Sequence, residues 1–323
     1  MNISLFDGHC DTILRCYDKN SPYFNGGKMR ENSGHIELAR AREAFNGYAQ
    51  FFAIFADTET MPGKSYAEMF REEYELFRRE LEENSDLALL CRTAEEAQRA
   101  IGAGKIAAFL SVEGAEILDC SLENLEEAYA KGVRAVNITW NHANLLSGTN
   151  VERPDQGLTE QGKAFVRKMQ ELGMLVDVSH LSDPGFWDVA RLSREGSKPF
   201  FASHSNSRAL CPHTRNLTDE QFREIVETGG VAGLNTCDEF LSETQPDLDA
   251  AVAHIEHFCS LGGERNVAIG GDWDGCDLFP GIRRITDIDK LYERLLRRNF
   301  KESLVQDIFF NNLMRVVREV CTM

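Results

Sequence analysis

The sequence predicts an α/β fold, a (β/α)8 barrel of the TIM type with extra C-terminal helices. Three observations point there. Eight short apolar runs follow one another along the 323 residues, and charged, amphipathic segments separate them. Chemically distinctive residues gather just after the runs, where such barrels keep their working groups. Strands that are apolar throughout belong to parallel sheets covered on both faces. The competing arrangement, an open doubly wound sheet, usually needs fewer strands and often carries a Gly-rich phosphate turn after the first one. The stretch "FDGHCD" is no such turn.

The elements follow in order. The first run is 3–6 (ISLF), with His9 and Asp11 behind it; residues two apart on a strand share a side, and Cys10 would face the other way. The second is 48–56 (YAQFFAIFA). A helix over 65–84 places Met69, Phe70, Leu76, Phe77 and Leu81 near helical spacing. A helix over 93–104 starts on a Thr cap and ends in Gly, and the run 105–112 follows, closing on Glu113. A helix over 121–132 leads into the run 134–140. The segment 141–157 (NHANLLSGTNVERPDQG) then reads as a long polar loop, placed to form part of a binding mouth. Helices over 158–173 and 183–196 precede the runs 174–179 and 199–203, which deliver His180 and His204. Helices over 217–230 and 247–263 precede the runs 230–235 and 266–271, the latter followed by Asp272 and Asp274. Helices over 287–300 and 301–320 end the chain. No linker rich in Pro, Ser or Gly and no 20–50-residue repeat interrupts it, so one domain is expected over 1–323.

Composition narrows the function. The chain is 42% hydrophobic and 27% charged, as expected of a soluble globular protein. Its formal net charge of -17 argues against nucleic-acid or anionic-membrane partners. No apolar run approaches the ~18–20 residues that span a bilayer. Neither a basic region followed by an apolar stretch nor an anchor tail is visible. The nine cysteines are scattered without a C-x-x-C pair, so reduced thiols in a cytoplasm are expected.

The strand ends carry the chemistry: His9, Asp11, Glu113, His180, His204 and Asp272. Each has a bland alternative. A buried His can be a satisfied core residue, and Glu113 or Asp272 could cap a helix. Yet Glu113 closes a run of Ala, Phe, Leu and Val, where an unpartnered carboxylate would be very costly. A pair of cations removes that cost. Two ions roughly 3.5–4 Å apart can share a hydroxide and a bridging carboxylate. His9 and Asp11 would hold one, His180 and His204 the other, and Glu113 would bridge. Imidazole and carboxylate without Cys suit zinc, with Mn, Co and Fe open. Bound water would then titrate near ~7, and Asp272 would take its proton and pass it to a leaving nitrogen.

At these residues the chain resembles the membrane (renal) dipeptidase family of amidohydrolase-like barrels. The motifs "DGHCD", "VEG", "GLTEQGKAFVRKMQELGMLVDVSHLSD", "FASHSNSRAL", "HTRNLTD", "GGDWDG" and "NNLMRVVREV" occur in the family's order over nearly the whole length. The resemblance implies a zinc-dependent dipeptidase with two divalent metal ions, acting through a hydroxide that bridges them. Its substrate would be a small dipeptide, often with a D-configured or dehydro residue at the C-terminal side. The family's metal ligands carry over to His9, Asp11, Glu113, His180 and His204, and its strand-eight acid to Asp272. Its substrate-carboxylate arginine carries over to Arg215, whose planar guanidinium suits that task; a helix-cap salt bridge is the alternative. Relatives often pair up, which makes a homodimer an expectation, and the chain resembles the bacterial intracellular branch. Two departures stand out. The family's His after the fourth strand meets Trp140 at the ungapped position, so His142, with Asn141 as substitute, is expected to contact substrate. After the seventh strand, Thr236 and Cys237 stand where some relatives place an aromatic. The competing functions are another binuclear amidohydrolase-type reaction on a small anionic substrate, and a non-catalytic metal-binding relic. The complete ligand set, without the Cys-rich closed geometry of structural zinc, argues against the relic.

Overall fold

The structure, a computed structural model, describes residues 3–322 apart from 22, 23, 59, 60 and 62. Among them are nine parallel strands: β1 (Ser4–Cys10), β2 (Gly47–Phe55), β3 (Ala88–Leu90), β4 (Ile106–Glu113), β5 (Val133–Asn137), β6 (Leu175–Asp177), β7 (Phe201–Ala202), β8 (Val231–Leu234) and β9 (Val267–Ile269). β2 pairs with β1 on one side and β4 on the other, so eight of the strands close into a barrel with helices around it. The ninth, β3, was not expected. It pairs with Ile106–Ala108 at the start of β4, and β5 takes over that edge from Leu110 to Glu113. Three residues between two helical patterns leave no period-2 signal to read.

Alternation along the strands sorts the core into two layers. Leu5, Phe52, Ile54, Leu110 and Val112 belong to the layer under the surrounding helices. Phe6, Phe51, Phe109 and Phe201 point inward and pack together; Phe6 stacks on Phe51 and Phe109, with ring centroids 5.7 and 5.3 Å apart, and Phe51 is tilted against Phe109 (5.1 Å) and Phe201 (6.0 Å). The floor beneath them is shut by the helix Asn312–Val320, whose Leu313, Met314, Val316 and Val317 join the same cluster. The lower half of the barrel is thus filled with aromatic and aliphatic carbon, and polar chemistry is confined to the C-terminal ends of the strands.

Most expected helices are present within a few residues. The helix Tyr66–Glu83 starts on a capping box, Ser65 with Glu68. The expected single helix over 301–320 is broken into Glu302–Gln306, a π turn over Asp307–Asn311, and Asn312–Val320. Helices Thr12–Tyr17 and Leu38–Ala44 were not expected, being too short to establish an amphipathic period. Residues 141–157 form no helix or strand; Thr149 makes one isolated bridge to Leu181. No helix among the described residues is long and apolar enough to cross a membrane.

Candidate metal centre

Glu113 ends β4, two and four residues beyond Ser111 and the inward-facing Phe109, so strand parity aims it at the barrel axis. His9 lies one residue from the end of β1, where the register with β2 shifts between Asp7 and Cys10. Asp7 controls that irregularity. Its buried carboxylate accepts from the His9 N–H (3.0 Å), Gln50 Nε2 (3.2 Å), the Gly271 N–H (3.0 Å) and Trp273 Nε1 (2.7 Å), tying β1 to the segment after β9. Asp177 does the same at the end of β6, accepting from the N–H groups of Ser179 and Ser203, both at 3.0 Å. The chain then turns sharply. His180, Asp272 and Asp274 all have left-handed backbones, with φ of 70°, 57° and 65°, conformations that non-glycine residues adopt only where the surroundings hold them.

The six expected residues converge. His9 Nε2 lies 3.4 Å from Asp11 Oδ2 and 3.5 Å from Glu113 Oε2. The other oxygen, Glu113 Oε1, lies 3.0 Å from His180 Nε2 and 3.5 Å from His204 Nε2. The two Nε2 atoms are themselves 3.0 Å apart. His9, Asp11 and Glu113 form one buried set of ligand atoms, Glu113, His180 and His204 a second, and His9, His204 and Asp272 a third. Among the described residues, His9 Nε2 and Asp11 Oδ1 are buried without a hydrogen-bond partner.

The electrostatics suit cations. Burial holds the His180 and His204 imidazoles well below their usual range, reinforced by Arg215 and His9, which favours the neutral form that a metal ligand needs. Burial, with a smaller push from Asp11, raises Glu113 to about 7 against the pull of His9. Burial opposes a charge on His9, but Glu113 and Asp11 outweigh it and raise its pKa. Asp272 is raised as well, chiefly by burial, and its Oδ2 accepts from Asn235 Nδ2 at 3.1 Å. Three carboxylates and three imidazoles share a space whose lining includes the arginines Arg15 and Arg215. Orphaned donor atoms, hard oxygen and borderline nitrogen ligands and the absence of thiolate in the set all fit divalent cations of the zinc type.

Arg215 lines the same cavity, of about 700 Å³, together with Asp11, Glu113, His180 and Asp272. Its Nε, Nη1 and Nη2 are buried with no hydrogen-bond partner among the described residues, and the guanidinium lies 5.4 Å from the Phe240 ring. It is not a helix cap: Thr218 and Gln221 form the capping box of the following helix. His142 is placed differently from expectation. Its side chain is 40% exposed, 3.7 Å from Glu152, whereas Trp140 and Asn141 line the cavity. β5 ends at Asn137 rather than at 140, so residues 138–142 follow the turn and not the strand. Trp140 stands edge-on to Phe55 at 4.8 Å. Cys237 faces the cavity, while Thr236 donates its hydroxyl to the Gly271 carbonyl. Sequence reasoning passed over Asp7, Asp177 and Asn235. The repeated pattern of an Asp two residues before the end-of-strand His9 or Ser179 could have pointed to the first two.

A parallel eight-stranded barrel that gathers three imidazoles and three carboxylates at its strand tops defines a metal-dependent hydrolase. Within that class the chain belongs to the membrane dipeptidase family, peptidase family M19, whose sequence model matches residues 1–323. Similar solved structures include a metallo peptidase from Rhodobacter sphaeroides liganded with a phosphinate mimic of the dipeptide L-Ala-D-Ala; it is 28% identical, with TM-score 0.86, and the match covers 99% of this chain and 100% of that one. The dipeptidase AC of family M19 is 27% identical, with TM-score 0.88 and 99% of both chains covered. An uncharacterized protein in the pqqA 5' region of Klebsiella pneumoniae is 33% identical over 242 residues, 72% of this chain and 88% of that protein.

Proposed function

We propose that the protein hydrolyses the peptide bond of dipeptides, including those with a D-residue at the C-terminal side, with two divalent cations, zinc first among them. The carrying observation is that the two oxygens of one buried carboxylate, Glu113, face different ligand sets: Oε2 faces His9 (3.5 Å), and Oε1 faces His180 (3.0 Å) and His204 (3.5 Å). His9 and Asp11 would hold one ion, His180 and His204 the other, with Glu113 shared. When bound, the ions supply Lewis acidity that activates a water and polarises the scissile carbonyl. The chain's own residues do the rest. Arg215, buried and unpaired, grips the substrate carboxylate and fixes the dipeptide's direction across the centre. Asp272 accepts the proton lost by water and delivers it to the leaving amine; burial raises its pKa toward that of a working acid-base group. Asn235 Nδ2 holds the Asp272 carboxylate in place. The L-Ala-D-Ala mimic bound by the Rhodobacter relative supports a D-residue on the carboxylate side. Nine unpaired thiols suit a reducing, cytoplasmic setting.

The test is hydrolysis of an L,L, L,D and D,D dipeptide panel by apoprotein and by protein loaded with Zn, Mn or Co, together with metal content per chain. Metal-dependent cleavage and two ions per chain are expected. A metal-loaded protein that cleaves no member of the panel would refute the assignment.

A further inference from the structure

Behind His180 the structure places a group that no metal-ligand pattern includes. Asn141 Oδ1 lies 2.9 Å from His180 Nδ1, on the face of the imidazole opposite Glu113 and His204. His180 has two tautomers available. With its proton on Nε2 it would donate to Glu113 Oε1 at 3.0 Å and present no lone pair to a cation. With its proton on Nδ1, the Nε2 lone pair is free, but the Nδ1–H then needs an acceptor in a buried setting. An amide oxygen is an acceptor only, so Asn141 selects the second tautomer. His204 is served less decisively, because its Nδ1 meets the Ser203 hydroxyl at 2.6 Å, and a hydroxyl can donate or accept.

Asn141 is itself fixed. Its backbone carbonyl accepts from Thr149 Oγ1 at 3.1 Å, the Asn150 N–H donates to the His180 carbonyl at 3.0 Å, and Thr149 bridges to Leu181. The loop 141–157 therefore clasps His180 by side chain and by main chain, and holds its left-handed backbone, φ 70°.

We propose that Asn141 is a positioning residue, which sets the tautomer and ring angle of His180 and thereby the affinity of one of the two cation positions. The inference rests on the metal-pair reading above. It differs from a substrate-contacting role in what it requires: an oxygen facing Nδ1, which Asp supplies and Leu or Ala does not.

The experiment titrates zinc into the apo forms of wild type, Asn141→Asp, Asn141→Leu and Asn141→Ala in competition with a chelator, resolving the affinity of each equivalent. In Asn141→Leu and Asn141→Ala, one equivalent is expected to weaken by roughly 10–100-fold, the usual effect of removing a metal ligand's outer partner, while the other is unchanged. Asn141→Asp should bind both as tightly as wild type or more so. Unaltered affinities in both truncations, or an Asp variant as weak as they are, would overturn the inference. A variant that only lowers the thermal stability of the apoprotein, with zinc affinities intact, would do the same. A wild type that takes up a single ion would refute the metal pair separately, with the effect of Asn141 still readable on that ion; uptake of no ion refutes both.

Discussion

Replacing Arg215 with Met separates what the residue does for function from what it does for the fold. The guanidinium is buried, its three nitrogens lack hydrogen-bond partners among the described residues, and burial lowers its pKa despite the nearby Asp272, Glu113 and Asp177. The surroundings therefore disfavour the charged form relative to water. Met removes the charge at similar length, and relief of an unsatisfied buried cation is expected to stabilise the protein by about 1–3 kcal/mol. The same change removes the grip on the substrate carboxylate. A forked pair of charge-assisted hydrogen bonds, at about 1.5–3 kcal/mol each, supports a net loss near ~3–4 kcal/mol, or roughly two to three orders of magnitude in kcat/KM. The assay compares kcat/KM of wild type and Arg215→Met on a dipeptide and on its C-terminal amide, alongside urea unfolding of both proteins. Wild type should prefer the free carboxylate strongly, the variant should treat both substrates alike, and the variant should unfold at higher urea. Retention of kcat/KM within about threefold, or a loss of stability above ~1 kcal/mol, would show that Arg215 is a structural ion and not the carboxylate site.

Two further outcomes concern the scaffold. Burial holds His254 at about 4 against an ordinary 6.5, and the neutral ring accepts from the Ser207 N–H (3.0 Å) while donating to the Leu241 carbonyl (2.9 Å). The unfolded chain takes up this proton first, so the contribution is whole above the ordinary value and is lost as pH falls toward 4; between pH 7 and pH 5 it amounts to about 2 kcal/mol. His254→Asn, which keeps an acceptor for Ser207, should shrink the fall in unfolding free energy over that interval by this amount, and an unchanged pH slope would contradict the reasoning. A Cβ at Gly270 would lie 1.6 Å from the Ser203 carbonyl oxygen, beside His204. Gly270→Ala is expected to cost more than ~4 kcal/mol, read as loss of soluble protein or a large fall in Tm, whereas Gly102→Ala, with open space at its Cβ, should lie within ~1 kcal/mol of wild type. Similar melting of the two variants would rule out the close strand approach.

The strand tops were legible because five of the eight apolar runs are followed by a residue that apolar neighbours cannot satisfy. Glu113 after "AAFLSV" is the clearest case: a carboxylate there implies a partner, and the structure brings His9, His180 and His204 to it. The barrel was legible for the same reason, since uniformly apolar runs fit only a doubly covered parallel sheet. What escaped depends on where a strand stops. β5 ends at Asn137, and the turn beyond it lines the cavity with Trp140 and with Asn141, the substitute, while His142, to which the resemblance carried the family's His, lies outside that lining. β3 and the helices Thr12–Tyr17 and Leu38–Ala44 are shorter than the window in which either period can establish itself. The π turn over Asp307–Asn311 inserts a residue's worth of slack into an amphipathic stretch without breaking its apolar face, which leaves nothing in the pattern to mark it.

The helix Asn312–Val320 has a bearing on how the chain reaches this state. It shuts the space beneath Phe6, Phe51, Phe109 and Phe201, yet it follows every strand in the order of synthesis. On the ribosome, β1 emerges long before the segment that keeps its aromatic ring dry. Until then a growing barrel carries an open greasy end. The interval of synthesis between β1 and this helix is thus when the chain is most prone to stick to its neighbours.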